Sequence, residues 1–458
     1  MSDTQFSWTP GTTATSGKIF TLSFWTRRAV ASDGGIGSYS RLLTAGSNYY
    51  IRFENSDLLK GEMSSGGAAT KTNAVFQDVS AWYHIVWQLD TTQASSGDRV
   101  TVWVNGVEQT SLAESVAPSQ DATTDFNASG TTQYYGADAS AGQWYNGYMA
   151  QICMVDGTAY AATTFGSFDA TTGEWKPKSD GEIRSAVTFG NNGYLLTFEN
   201  ASNPGYDYQT SDRSGTTNDF TKSGAGYQSK ENPSNVHGVF NSSFNWYVNS
   251  SYQNANTTII TPTTQYTWQT TTLGASKGKW YYEAYVRSAA NTTEQVIGIA
   301  CGASYLTTKQ LGGEPDTYSY YGAGKIYADG SVAVSSLPTY TTGAYIGCAF
   351  DLDNNKIYWH KDGTYINSGD PSAGTGGQTI TAADSQTFRN ATGFYFPALG
   401  DFDSAAGGTF DINLGNGVFG TTVLGGTTYS DSDGQGVFKY TVPTGYKCLN
   451  TKQLNSYG

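Results

Sequence analysis

This sequence is short of the residues that most often carry chemistry or build helices. Its 458 residues include only three histidines, four cysteines, four methionines and eleven prolines. Lys, Glu, Leu and Met, which favour helices, are scarce. No apolar run reaches the roughly 18 residues of a membrane-crossing helix, so membrane insertion is not expected. Lys and Arg number 25 against 38 Asp and Glu, a net charge of −13, and the cations are scattered. A nucleic-acid binder replaces phosphate counterions with clustered cations, so that class is set aside. The acidic balance mainly favours solubility. Cys153, Cys301, Cys348 and Cys448 stand far apart without a CxxC pair, which argues against zinc. Buried free thiols are the reading for a protein made in a reducing cytoplasm, and a Cys301–Cys348 or Cys348–Cys448 bridge stays open. The start, "MSDTQFSWTPGTTATSGKIF", has no basic segment followed by an apolar one, so no secretion signal is expected. The Asn-x-Ser/Thr sequons, at Asn127, Asn241, Asn249, Asn291 and Asn390 among others, then carry no meaning.

What is abundant is Gly, Ser, Thr, Asn and Tyr. Thr, Tyr and Trp suit half-buried pleated surfaces, and Gly and Asn suit the turns between them, so an all-β protein is expected. The length calls for at least two domains. In "AWYHIVWQLD", Tyr83, Ile85, Trp87 and Leu89 alternate with His84, Val86 and Gln88. "KIFTLSFWTRRA", "RVTVWVNG" and "GQWYNGYMAQICMVDGTAY" complete a first domain, with turn signals spaced as in a sandwich or jelly roll. "GKWYYEAYV", "EQVIGIACG" and "AYIGCAFDLD" open a second. The expected boundaries are 1–175, a connector over 176–259 with few strands, and 260–458. The connector is rich in turn formers, but its aromatics argue that it is ordered.

One motif occurs twice. "VWQLDTTQASSGDRVTVWVNGVEQT" and "FDLDNNKIYWHKDGTYI" each run strand, polar break, strand, tight turn, strand. Aligning Gly106 with Gly363 places Val102 on Trp359 and Val100 on Ile357, facing inward, and Trp103 on His360, facing outward. Asn-Gly and Asp-Gly turns fix the register, and a one-residue slip would turn every inward side chain outward.

Catalytic signatures are missing. There is no HExxH, GxSxG or P-loop, and His84, His237 and His360 are isolated. Glycosidases need carboxylates paired across the scissile bond. Asp351 and Asp353 share a face but end a strand at a turn, and Glu54 and Asp57 do not share one. A non-enzymatic protein is expected, with no catalytic residue and no cofactor. Asp431, Asp433 and Gly434 in "YSDSDGQG" faintly resemble the start of a calcium loop, but the distal Glu is missing, and a solvated acidic turn is the preferred reading.

Carbohydrate binding is the main functional option. Sugar rings stack on exposed aromatics carried by loops of a rigid scaffold. "QYYGADASAGQWYNG" offers Tyr134, Tyr135, Trp144 and Tyr145, and "DTYSYYGAGKIYADG" offers Tyr318, Tyr320, Tyr321 and Tyr327. The competing reading places these rings in the core or in a subunit interface. Outward Trp103 and Tyr358, with Trp246 and Tyr247 of the connector, are candidate interface residues.

Some stretches carry a family resemblance. "GKWYYE", "IGIA", "YGAGKIYADGS", "AYIGCAFDLDNNKIYWHKDGTYI", "YFPAL" and "FDINLGNGVF" resemble the SPRY family in order and spacing. "FTLSFWTRRA", "AWYHIVWQLDTT", "VTVWVNGVEQ" and "WYNGYMAQICMVDGTAY" resemble laminin-G or concanavalin-A-like jelly rolls. The order of the two, with "GEWKP", "FGNNGYLLTFEN", "ENPSNVHGVFN" and the terminal "GYKCLNTKQL", resembles virion proteins of marine bacteriophages, although Glu231-Asn232-Pro233-Ser234-Asn235 stands where Asp-Thr-Pro-Thr-Asn is usual. The resemblance implies two tandem antiparallel β-sandwiches on the virion surface, in a tail fibre, an adhesin or a capsid decoration. It also implies other virion proteins and host-surface glycans as partners, and a homo-oligomer, a trimer by analogy. A purely structural subunit and a glycan depolymerase are the alternatives.

Overall fold

The computed structural model describes residues 4–29, 40–46, 49–64, 67–140, 142–215, 218–242, 250–303, 308–403 and 405–458. Strands dominate it, with two seven-residue α-helices, Asp180–Ala186 and Thr451–Tyr457. The chain divides into two compact units, Met1–Gln228 and Ser229–Gly458.

In the first unit the described residues form an eight-stranded and a six-stranded antiparallel sheet. The larger runs in the order Leu112–Ser115, Ala68–Val75, Leu58–Ser64, Tyr49–Phe53, Ser40–Ala45, Gln133–Tyr135, Gln5–Trp8, Thr221–Ser223. The smaller runs Tyr194–Leu196, Gly147–Asp156, Ile19–Arg28, Tyr83–Asp90, Val100–Val104, Val107–Glu108. The inward set of each strand, including Phe20, Leu22, Phe24, Ile85, Trp87, Leu89, Val102 and Val104, closes one core. The alternation read from the sequence is therefore the alternation of a sandwich.

The second unit repeats the plan. A nine-stranded sheet has as its spine Ser251–Gln253, Thr258–Ile260, Thr409–Asn413, Lys279–Ser288, Tyr345–Asp351, Lys356–Lys361 and Thr364–Tyr365. It faces a six-stranded sheet in the order Thr267–Thr270, Phe396–Asp401, Gln295–Ala300, Thr317–Tyr321, Lys325–Ala328, Ser331–Val334. Trp268, Trp280, Tyr282, Ile297, Phe350, Ile357 and Trp359 lie in the core between them. A smaller cluster, Tyr281, Ala349, Tyr358, Phe438, Val442, Tyr446 and Cys448, forms on the other face of the larger sheet, where the C-terminal segment covers it.

The stretch 176–259, expected as a connector, is shared between the two units. Tyr194–Leu196 pairs with Ile152–Met154 as the edge of a sheet. Tyr194 and Phe220 sit in the first core, and Phe240 and Ile259 in the second. "GYLLTFEN" alternates enough to read as a strand, but Phe220 and Phe240 are single buried rings among turn formers and produce no period. All four cysteines are free and buried.

The doubled hairpin has matching registers. Trp87 pairs with Val102 and Leu89 with Val100. Cys348 pairs with Trp359 and Phe350 with Ile357. Both turns need left-handed backbone: φ is 48° and 76° at Asn105 and Gly106, and 49° and 88° at Asp362 and Gly363. The Asn105 carboxamide accepts from the His84 amide at 2.7 Å, and the Asp362 carboxylate accepts from the Tyr345 amide at 2.9 Å. His84 and Tyr345 are thus equivalent positions, as are their cross-strand partners Trp25 and Tyr285.

Candidate functional site

The aromatics singled out from the sequence mostly complete the cores. Tyr135 is 1% exposed and its hydroxyl meets that of Tyr194 at 2.8 Å. Tyr318, Tyr320 and Tyr321 are buried, and their hydroxyls meet Thr381, the Pro338 carbonyl and Glu294. These four rings have no free face for a sugar. They belong to strands rather than to loops, because the glycines beside them lie at strand ends. Tyr134, Trp144, Tyr145 and Tyr327 are half-buried, and the Tyr145 hydroxyl is bonded to Thr26 at 2.6 Å. Of the interface candidates, Trp103 is half-buried. Tyr358 points outward from its strand as expected, yet it is 2% exposed because the C-terminal segment folds over it. Trp246 and Tyr247 lie outside the described residues.

The acidic candidates serve turns. Asp351 accepts from the Asp353 and Asn354 amides and pairs with Lys279 at 2.9 Å. Asp431 accepts from the amides of Asp433, Gln435 and Cys448 and from the Gln453 side chain. Among the described residues no group of three or more His, Cys, Asp or Glu side chains is placed to hold a metal ion. All three histidines are buried.

A depression lies in the second unit, on the outer face of the nine-stranded sheet. It holds about 600 Å³ and is walled by two stretches of chain. Tyr365 and the loop through Asp370, Pro371 and Ser372 form one side, and Thr427, Tyr429 and the segment Lys439–Thr444 form the other. The Thr444 amide donates to the Ser372 hydroxyl at 3.0 Å and ties the walls together. Tyr429 is exposed and Tyr440 half-buried. Ser372, Thr427, Thr441 and Thr444 line it with these rings, and Asp370 and Lys439 bring one charge of each sign. The volume falls in the range of ordinary ligand sites.

A buried polar chain fixes the floor. Gly347 sits inside a strand directly opposite His360, and a β-carbon there would come within 1.9 Å of the ring. The glycine thus makes room for the imidazole, a known use of glycine within strands. The Gly363 amide donates to His360 Nδ1 at 3.1 Å, so Nε2–H faces the Tyr281 hydroxyl at 2.8 Å. Tyr281 donates to Glu283 at 3.0 Å, and Glu283 accepts from the Lys439 and Tyr440 amides at 2.9 and 2.8 Å. Burial lowers the His360 pKa to about 4 and raises that of Glu283 to about 7. The imidazole is therefore neutral near pH 7 and acts as a strut. Glu283 anchors the Lys439–Tyr440 wall to the sheet.

A family model of the SPRY domain matches residues 279–396. The second unit contains a SPRY domain. Among solved structures, the chain is similar to the SPRY domain of human HERC1, with 14% identity, 38% of this chain and 96% of that one covered, and a TM-score of 0.29. It is similar to a human SPRY domain at 16% identity, covering 34% and 90%, with a TM-score of 0.23. It is also similar to stonustoxin at 13% identity, covering 39% and 27%, with a TM-score of 0.26. No curated protein matches the chain. His360, Tyr365 and Asp370 lie within the matched SPRY stretch, whereas Thr427, Tyr429 and Lys439–Thr444 lie C-terminal to it. The depression is thus built partly by the SPRY domain and partly by the segment that follows.

Sequence reasoning missed Tyr365, Tyr429, Lys439 and Tyr440. Only two local signals pointed there: the Asp362-Gly363 turn, and Gly347 inside an apolar strand. The wall itself is assembled from residues about 70 apart in sequence, as the Thr444–Ser372 bond shows.

Proposed function

We propose that this chain is a non-enzymatic binding protein of a bacteriophage particle, displayed at the virion surface, that contacts host-surface glycans through its second unit. A SPRY domain on a β-sandwich supports a binding module. The observation that carries the glycan reading is the depression of about 600 Å³ lined by Tyr365 of the sheet, by Tyr429 and Tyr440 of the C-terminal segment, and by serine and threonine residues. Sugars offer apolar C–H faces to rings and hydroxyls to polar groups, and this lining offers both. Phage and virion placement rests on the sequence resemblance. Repetition in a homo-oligomer, or beside other virion proteins, would turn weak single-site contacts into avidity.

The test is binding of the full chain to a panel of bacterial surface polysaccharides and to cells bearing them. Binding should appear and should fall about tenfold in Tyr429→Ala, the exposed ring of the wall. Absence of binding to every glycan and cell would end this reading, and release of reducing sugar from any of them would end its non-enzymatic part.

A purely structural role has one observation in its favour. Val107 and Phe168 of the first unit are 57% and 55% exposed, and Phe168 packs edge-on to Trp175 beside Gly106. Such a patch suits a contact with another virion protein.

A further inference from the structure

Each unit carries an aromatic pair at the same place on the outer face of its repeated hairpin sheet, packed by an indole in the first and by Phe419, Lys439 and Tyr440 in the second. In the first unit Trp25 stacks on His84 at 4.7 Å, and Trp175 covers His84 at 5.9 Å. Trp25 and His84 are 2% and 1% exposed. The equivalent pair in the second unit, Tyr285 and Tyr345, has ring centroids 4.6 Å apart and stays half-buried. In place of an indole lid, the Lys439 ammonium stands 4.7 Å from the Tyr345 ring and 5.8 Å from that of Tyr440. Tyr440 lies 6.2 Å from Tyr345, and both Lys439 and Tyr440 also line the depression. Depression and aromatic platform are therefore one continuous surface.

We infer that this surface takes an acidic polysaccharide as an extended chain: one sugar in the depression, a carboxylate on Lys439, and the next rings on Tyr345 and Tyr285. This deepens the glycan reading of the depression and rests on it. Of the acids around the platform, Asp411 pairs with Arg287, whereas Asp362 and Asp370 accept from the Tyr345 and Ala373 backbone amides at 2.9 and 3.0 Å. Among the described residues Lys439 has no carboxylate partner, and its ammonium rests against two rings. Glu283 holds the backbone of Lys439 and Tyr440 against the sheet. A cation without a carboxylate partner, beside half-buried rings, fits a sugar polymer that carries negative charge.

The experiment is calorimetric titration of the full chain with oligogalacturonides from monomer to octamer, and with the same oligomers after reduction of their carboxylates to alcohols. Affinity should rise about tenfold with length and should be about tenfold higher for the acidic series. Tyr345→Ala should lower the gain with length, and Lys439→Gln should narrow the difference between the acidic and the reduced series. Saccharide binding that is independent of length, of charge and of both substitutions would overturn the extended-chain inference and leave the depression as a glycan site. No binding of any saccharide, together with no binding on the polysaccharide panel, would overturn both.

Discussion

The two hairpin sheets show how one folding solution can be sealed or left open by a single distant element. Both units place a buried histidine on the outer face, next to an Asx-Gly turn with left-handed backbone. In the first unit the lid is Trp175, whose indole N–H donates to His84 Nδ1 at 2.9 Å while Ser23 meets Nε2 at 2.8 Å. The indole packs so tightly on the turn that a β-carbon at Gly106 would come within 2.3 Å of it. In the second unit the corresponding lid is Tyr440, where a β-carbon at Gly363 would stop 2.9 Å away. The backbone geometry of the two turns is shared, and the ring packed on each differs, an indole over Gly106 and a phenol over Gly363.

The largest break in this comparison is expected from Gly347→Ala. Its new methyl would strike His360, and because Gly347 is a strand residue between Glu283 and His360, the whole polar chain would shift. A loss of about 3 kcal/mol or more is expected from denaturant unfolding of the second unit. Trp175→Ala should cost the first unit about 3 kcal/mol. It should also uncover Trp25 and His84, read as faster oxidation of Trp25, which would convert the closed face into the open kind. Gly106→Ala and Gly363→Ala both place a side chain at positive φ, at about 1–2 kcal/mol each, with the larger loss at Gly106 because the indole is nearer.

The smallest effect is a pH dependence. Burial lowers the His84 pKa to about 3 from 6.5. As pH falls below 6.5 the unfolded chain takes up a proton that folded His84 refuses, so the first unit loses stability on acidification, by an amount on the order of 1–2 kcal/mol at pH 5. Amide exchange across Tyr83–Asp90 should quicken from pH 7 to 5, after correction for intrinsic exchange, and this extra quickening should vanish in His84→Gln.

The legible part of the sequence was the part that obeys a period. Alternation in "AWYHIVWQLD" and the two Asx-Gly turns fixed the hairpin registers, because a half-buried strand tolerates no slip. The two-sandwich plan followed from them. Residues 176–259 were less legible: "GYLLTFEN" reads as a strand and forms one, but Phe220 and Phe240 reach their cores as single side chains from backbone outside the strands. The site was largely hidden as well. Clustered tyrosines such as Tyr318, Tyr320 and Tyr321 look alike in sequence whether they face a ligand or a core, and here they face the core. Tyr440 and Lys439 stand in "FKYTVP", and nothing in that string indicates that it folds back over a distant hairpin.

The most direct test is hydroxyl-radical footprinting of the full chain with and without saturating acidic octamer. The account expects protection at Tyr285, Tyr345, Tyr429 and Tyr440, with Trp25 silent in both states. Protection confined to other rings, or equal oxidation of Trp25 and Tyr345 in the free chain, would contradict it.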